Sequence, residues 1–252
     1  MSDAAEVIET AMRARAKIAP IEALADAAAG YAAQRALAGR LGAVPPAGFK
    51  IGATARAMQE YLGIRVPVAG FVMARDIHAS PARLAFAGFV EPGVECEIAV
   101  RLAHDLPPAP CTRDQAEAAV GEVFPAIEIV ERRYADMGAL HTPTVVADRM
   151  FHRAGVLGAP VAGWRGLDLG AVRGSMTVGG RLHGEGVGAD LLGHPMEALA
   201  WLAGSEGAAA FGGLRAGQVV WLGSVTPPAW LEGPGAVVVE FEGLGRVEAV
   251  FA

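Results

Sequence analysis

Residues 92–102 read PGVECEIAVRL, an alternation that fits a β-strand and no other regular structure. Side chains change face every residue along a strand, whereas a helix repeats every 3.6. Val94, Cys96, Ile98 and Val100 then share an apolar face, and Glu95, Glu97, Ala99 and Arg101 share the other. A fold that contains this strand must offer its two faces different surroundings. The glutamate face has two possible environments, water or a closed pocket. Glu95 and Glu97 would stand roughly 7 Å apart, where like charges repel by about 2 kcal/mol at an effective dielectric of 20. Water tolerates that repulsion, but a pocket needs a proton or a cation to relieve it. Burial decides between them, and alternation alone leaves both open.

A third glutamate interrupts the apolar run VFPAIEIV at 123–130. In a strand, Glu128 has Ala126 and Val130 on its own face and Ile127 and Ile129 on the other. A strand apolar on both faces is normally covered on both. A carboxylate buried there must be paired, protonated or bound to a metal. The competing arrangement is an ion pair with Arg132 or Arg133. If Glu95, Glu97 and Glu128 converge, they form an oxygen-rich site suited to a hard divalent cation.

Composition narrows the classes. The chain has 252 residues and is 53% hydrophobic, enough for a sizeable core. It has no apolar run of the roughly 18–20 residues that span a bilayer, and its N-terminus, MSDAAEVIETAM, starts acidic without a signal-peptide pattern. A net charge of -6 argues against a nucleic-acid surface. Two cysteines, Cys96 and Cys111, lack metal-type spacing and suit a reducing compartment. The expectation is a cytoplasmic protein with neither nucleic acid nor membrane as partner.

Of 21 basic residues only two are lysines, Lys17 and Lys50. Lys17 belongs to a charged helical stretch. Lys50 lies in AGFKIGAT at 47–54, where Gly48 and Gly52 share its face and leave space around the ammonium. A lysine can act as an acid or base when its environment lowers its pKa, and an arginine cannot lose its proton at ordinary pH. Lys50 is therefore either an acid–base group or a structural partner of a carboxylate.

The patterning predicts helices at 3–17, capped by Ser2 or Asp3, and from Pro20 to about Leu41. GAVPPAG at 42–48 then leads into a strand at 48–53, and Thr54 caps a short helix, ARAMQEYLG. Thr112 caps a helix at 113–121, followed by a strand at 122–131, a loop at 135–145 and a helical turn at 146–154. Further strands are expected at 155–163, 171–179, 181–185, 217–223, 235–242 and 245–251, with a helix at 194–204. The fold class is α+β, with a helical N-terminal part (1–46) followed by a β-rich body (47–252). No GxGxxG or Walker-type loop is present.

Several blocks in order resemble the 2-keto-4-pentenoate hydratase branch of the fumarylacetoacetate hydrolase superfamily. They are AGFKIGATARAMQEYLG, PGVECEIAV, FPAIEIVERRYAD, VVADRMFHRAGVLG, HPMEALAWLAG and LRAGQVVWLGSVTPP. The resemblance implies a mixed β-roll of the superfamily's C-terminal type, a homo-oligomer, and Mg2+ or Mn2+ held by Glu95, Glu97 and Glu128. Glutamate at the third position points to the hydratase branch, since hydrolase members tend to carry aspartate. Lys50 matches the family's glycine-flanked lysine. The implied substrate is a 2-hydroxydienoic or 2-oxo acid. Its carboxylate and adjacent oxygen would chelate the metal, which stabilises enolate charge while Lys50 moves a proton and water adds distal to the carbonyl. The implied product is a 4-hydroxy-2-oxo acid.

Other positions follow less directly from the resemblance. Asp76 is a candidate for assisting water addition or a surface turn residue. Ser224 and Thr226 are candidates for binding the substrate carboxylate or capping a turn, and Gln218 replaces a frequent acidic residue. The main departure is Arg149, Met150, Phe151 and His152 after Asp148, where the family pattern has small polar residues, roughly DNASSG. Arg149 is either a fork for a second carboxylate or a surface arginine, and His152 an acid–base group near neutral pH or a packed histidine. The same motifs also suit a decarboxylase of an unsaturated 2-oxo diacid, an acylpyruvate-type C–C hydrolase, or an inactive scaffold subunit.

Overall fold

In the computed structural model, residues 3–54, 59–60 and 64–252 are described. Ser2 and most of the helix expected at 55–63 lie outside them. Helices α1 (Ala4–Ala14) and α2 (Ala27–Arg40) come first. Strands β1 (Gly48–Gly52), β2 (Val68–Val72), β3 (Ile77–Ala79), β4 (Ala82–Leu84) and β5 (Pro92–Leu102) follow. Then come α3 (Arg113–Ala119), β6 (Val120–Glu131), α4 (Thr142–Ala147), β7 (His152–Leu157), β8 (Arg173–Val178) and β9 (Arg181–Val187). Helices α5 (Pro195–Ala203) and α6 (Glu206–Ala209) precede β10 (Val219–Ser224), β11 (Ala229–Trp230), β12 (Gly235–Phe241) and β13 (Gly245–Phe251).

Caps set several boundaries. Asp3 accepts the Ala5 N–H to start α1. Asp26 accepts from Ala29 and starts α2, so Pro20 does not open this helix. Thr112 and Gln115 form a reciprocal capping box on α3. Helix α4 falls where a loop was expected. Its proline in the first turn is preset for a helix, while Val145 and Val146 weaken the helical signal in sequence. Burial against α2 supplies what propensity lacks, with Gln34 Nε2 donating to the Val146 carbonyl at 2.6 Å. Strand β7 begins at His152, earlier than predicted, because its pairing with β6 fixes the register from Val130↔His152 to Ala126↔Leu157.

Two mixed sheets result. The larger has the order β2-β1-β10-β5-β6-β7-β3, with β11 also paired to β5, and the smaller has the order β4-β13-β12-β8-β9. Strands β5 and β6 form the antiparallel centre of the larger sheet, with Glu95 opposite Glu128 and Glu97 opposite Ala126. One face of this sheet carries Phe49, Ile51, Phe71, Cys96, Ile98, Ile127, Ile129 and Leu222, all fully buried in the main core. The other carries a smaller cluster of Val72, Ala99, Phe124, Ala126, Leu157, Val219 and Trp221, with Ile77 packed against it. Val72 and Ile77 belong to the two terminal strands, so the sheet curls until its ends meet around Trp221. Alternation places Lys50, Glu97 and Glu128 on this inner, concave face.

Candidate metal centre

Burial resolves the choice left open by the alternation. Glu97 and Glu128 are fully buried and Lys50 is 1% exposed, so the glutamate face is a pocket. Glu95 is half-buried and marks the side where solvent reaches the cluster. One carboxylate oxygen from each of Glu95, Glu97 and Glu128 lies within 4.8 Å of the other two. An irregularity in β10 between Trp221 and Ser224 turns the Gly223 N–H toward Glu97 Oε2, which accepts it at 2.9 Å. Glu97 Oε1 and Glu128 Oε2 are buried without a hydrogen-bond partner among the described residues. Burial, then the neighbouring carboxylates, raises the Glu95 carboxyl to about 8 and holds that of Glu97 well above its usual range. Burial likewise raises Glu128, against the pull of Lys50. Three converging carboxylates with unpartnered oxygens fit a hard divalent cation, whose charge would relieve their repulsion.

Glu128 does not pair with Arg132 or Arg133. Its Oε1 instead meets Lys50 Nζ at 3.1 Å and His152 Nδ1 at 2.7 Å. Lys50 also donates to the Met150 carbonyl at 3.1 Å. Burial alone would lower the Lys50 pKa, but Glu128, Glu95 and Glu97 outweigh it and raise it, which keeps the ammonium charged and corrects the expectation of a lowered value. His152 behaves in the opposite way. Burial, with Arg149 next, holds its pKa well below the ordinary histidine value. The ring is therefore neutral near pH 7, correcting the expectation that it titrates there. A neutral ring beside a carboxylate carries its proton on Nδ1, which leaves Nε2 as an acceptor, and Nε2 is buried with no partner among the described residues.

The segment that departs from the family pattern makes a turn over Lys50. Arg149, Met150 and Phe151 all adopt left-handed backbone, with φ of 56°, 50° and 65°. Each costs about 1–2 kcal/mol for a residue with a side chain. The glycines near Lys50 accommodate this turn and do not leave empty space. A Cβ on Gly52 would lie 2.2 Å from Met150 Cγ, and one on Gly70 would lie 2.6 Å from the Arg149 carbonyl oxygen.

The remaining candidates are placed differently from one another. The Arg149 guanidinium lies over the Phe71 ring at 4.8 Å, with Nη1 3.7 Å from Asp76 Oδ2 and Nη2 donating to the His152 carbonyl at 3.1 Å. Burial lowers its pKa to about 10. It is neither a surface arginine nor turned toward the glutamates. Asp76 is buried, not a surface turn residue, and lines a cavity of about 310 Å3 with Arg13, Arg40, Arg75 and Arg153. None of Lys50, Glu95, Glu97 and Glu128 lines that cavity. The Ser224 hydroxyl serves local backbone, accepting from the Cys96 N–H at 3.2 Å and donating to the Thr226 carbonyl at 2.7 Å. Thr226 Oγ1 is buried and has no partner among the described residues. Gln218 bridges backbone only, at Pro46 and Arg215.

Trp221 is the residue that pattern reasoning passed over. It is fully buried on the concave face, opposite Lys50 and Ala99 in register, and its ring centroid is 6.4 Å from that of His152. Its Nε1–H has no acceptor among the described residues. In VVWLGS it looks like one more apolar strand residue; pairing of β10 with β1 sets it beside Lys50, and sheet curvature brings His152 to it.

Comparison with known proteins gives the family. Residues 57–252 match the family model described as fumarylacetoacetate (FAA) hydrolase C-terminal. A 2-keto-4-pentenoate hydratase from Paraburkholderia phymatum is 34% identical over 206 residues, covering 81% of this chain and 78% of its own. A 2-hydroxyhexa-2,4-dienoate hydratase from Comamonas testosteroni is 36% identical over 183 residues, covering 71% and 68%. Among solved structures, the 4-oxalocrotonate decarboxylase from Pseudomonas putida G7, complexed with magnesium and adipate, superposes with a TM-score of 0.91 at 26% identity. That match covers 99% of this chain and 96% of the decarboxylase. With the glutamate triad, the buried lysine and the ordered blocks all in place, the chain belongs to the 2-keto-4-pentenoate hydratase branch of the fumarylacetoacetate hydrolase superfamily.

Proposed function

We propose that this protein is a metal-dependent hydratase that adds water to a 2-hydroxydienoic (2-oxo-alkenoic) acid to give a 4-hydroxy-2-oxo acid. The observation that carries the reading is the convergence of Glu95, Glu97 and Glu128, with two oxygens unpartnered among the described residues, beside the buried ammonium of Lys50. The glutamates would hold Mg2+ or Mn2+, which supplies a chelate for the substrate's carboxylate and 2-oxygen and stabilises enolate charge. Lys50 moves a proton to and from the dienol carbon skeleton. His152, whose Nε2 lone pair has no partner among the described residues, accepts a hydrogen bond from the adding water and so orients it. The Trp221 indole forms an apolar floor with one donor, and Thr226 Oγ1 offers a hydroxyl to the substrate carboxylate. In this reading the helices of residues 1–46 and the β-roll body of 47–252 work as one unit, supported by the core shared by Ala4, Ile8 and Leu37 with the sheets.

A second reading, decarboxylation of an unsaturated 2-oxo diacid, draws on the similarity to the Pseudomonas putida decarboxylase. A diacid needs a cation at its far end, and Arg149 is already turned to Phe71 and Asp76. That placement favours a monoacid. Incubation with 2-hydroxypenta-2,4-dienoate and Mg2+, followed by NMR, should show the 4-hydroxy-2-oxo product. Release of CO2 from a parallel dicarboxylic substrate, with the dienoate left intact, would replace hydration with decarboxylation.

A further inference from the structure

We propose that the buried Arg133–Asp148 ion pair is a positioning clamp for Lys50. Neither residue contacts Lys50 directly. Arg133 presents its planar fork to Asp148, with Nη2 to Oδ1 at 2.6 Å and Nε to Oδ2 at 3.2 Å. Its third nitrogen, Nη1, donates to Glu131 Oε2 at 2.7 Å. Glu131 ends β6, the strand that carries Glu128. Nη2 also reaches the His152 carbonyl at 3.5 Å. Arg133 thus ties both ends of the left-handed turn, Asp148 before it and His152 after it, to the strand that supplies a metal ligand.

Three successive left-handed residues with side chains persist only where the surroundings over-determine them. The clamp supplies that constraint from one side, and the glycines facing the turn at Gly52 and Gly70 let it seat from the other. The turn's output is the Met150 carbonyl, held 3.1 Å from Lys50 Nζ. An ammonium has three N–H donors. Met150 O and Glu128 Oε1 occupy two, so tetrahedral geometry fixes the direction of the third, which has no acceptor among the described residues and serves substrate in this reading. Without the clamp the carbonyl moves and Lys50 loses its aim, while the glutamate triad stays on its strands.

The inference rests on the reading of Lys50 as the proton carrier, and its test is separable from that reading. Lys17 is exposed and its ammonium pairs with Glu91, which is not one of the three metal-site glutamates, so a Lys17→Arg protein keeps Lys50 as its only lysine while preserving the positive charge at position 17. Labelling lysine Nζ with 15N then gives one ammonium resonance that reports Lys50 with no substrate present. In that background Asp148→Asn should shift or broaden the resonance. Turnover per Mn2+-loaded site should fall on the order of 10–100-fold, with Mn2+ affinity and substrate KM changed less than about threefold. A purely structural ion pair would lower Tm and the fraction of loaded protein, yet leave the resonance and the turnover per loaded site unchanged, and that result overturns the proposal. A shifted resonance with full turnover overturns it too. If Asp148→Asn does not fold, Asp148→Glu, which keeps the charge but displaces the fork, takes its place and should give the same pattern in milder form. If the unsubstituted enzyme leaves the dienoate intact while the resonance still responds to Asp148, hydration fails and the clamp stands.

Discussion

Glu128 meets three demands with two oxygens. One oxygen takes both Lys50 and His152, and the other remains for a cation. This arrangement leads to two opposing substitution effects. Glu97→Gln should weaken Mn2+ binding more than about tenfold by calorimetry, because even outer partners of a metal are typically worth 10–100-fold. The same change removes a buried charge whose pKa is already raised, so the metal-free Tm at pH 8 should hold or rise. Lys50→Arg keeps a positive charge but cannot exchange its proton. Turnover should fall on the order of 10²–10⁴-fold while Mn2+ affinity stays within a few-fold. Retained turnover would remove Lys50 from the proton path.

Between residue and fold lies the strained turn, which depends on close backbone approach. Gly70→Ala places a Cβ against the Arg149 carbonyl, a backbone atom that cannot rotate away. It should cost about 1–3 kcal/mol in urea denaturation and lower kcat more than it raises KM. These relations also show what the sequence could reveal. Period-two alternation identified β5 and its two faces, and the doubly apolar run around Glu128 identified a buried carboxylate, because both signals are local. The partner of Glu128 was not legible. Arg133 is a near neighbour in sequence, but its fork turns to Asp148, and Lys50 arrives from another strand. The roles of Trp221 and of the 149–151 turn were hidden for the same reason: curvature and packing against distant glycines decide them.

At the scale of the molecule, the curled sheet concentrates charge on its inner face, and this couples metal uptake to protons. Unperturbed glutamates titrate near 4.5, and in the metal-free fold Glu95 moves to about 8 with Glu97 and Glu128 also raised. Between those pH values the folded chain holds more protons than the unfolded one. Metal-free stability should therefore fall as pH rises from about 4.5 toward 8, and cation binding should release protons. Apparent Mn2+ affinity should climb through this window and level off above it. Thermal melts with EDTA or Mn2+ across pH, and calorimetry in buffers of different ionisation enthalpy, test both signs. A flat affinity profile would mean that the carboxylates are already ionised.

The two faces of β5 also imply two kinds of tolerance to inherited change. At Val94, Cys96, Ile98 and Val100 a substitution acts through how much folded protein a cell retains. At Glu95 and Glu97 it acts through what each folded molecule can do, and protein levels can hold or rise as function is lost. A survey of variants along this strand would therefore alternate, residue by residue, between scarce but competent protein and abundant but silent protein.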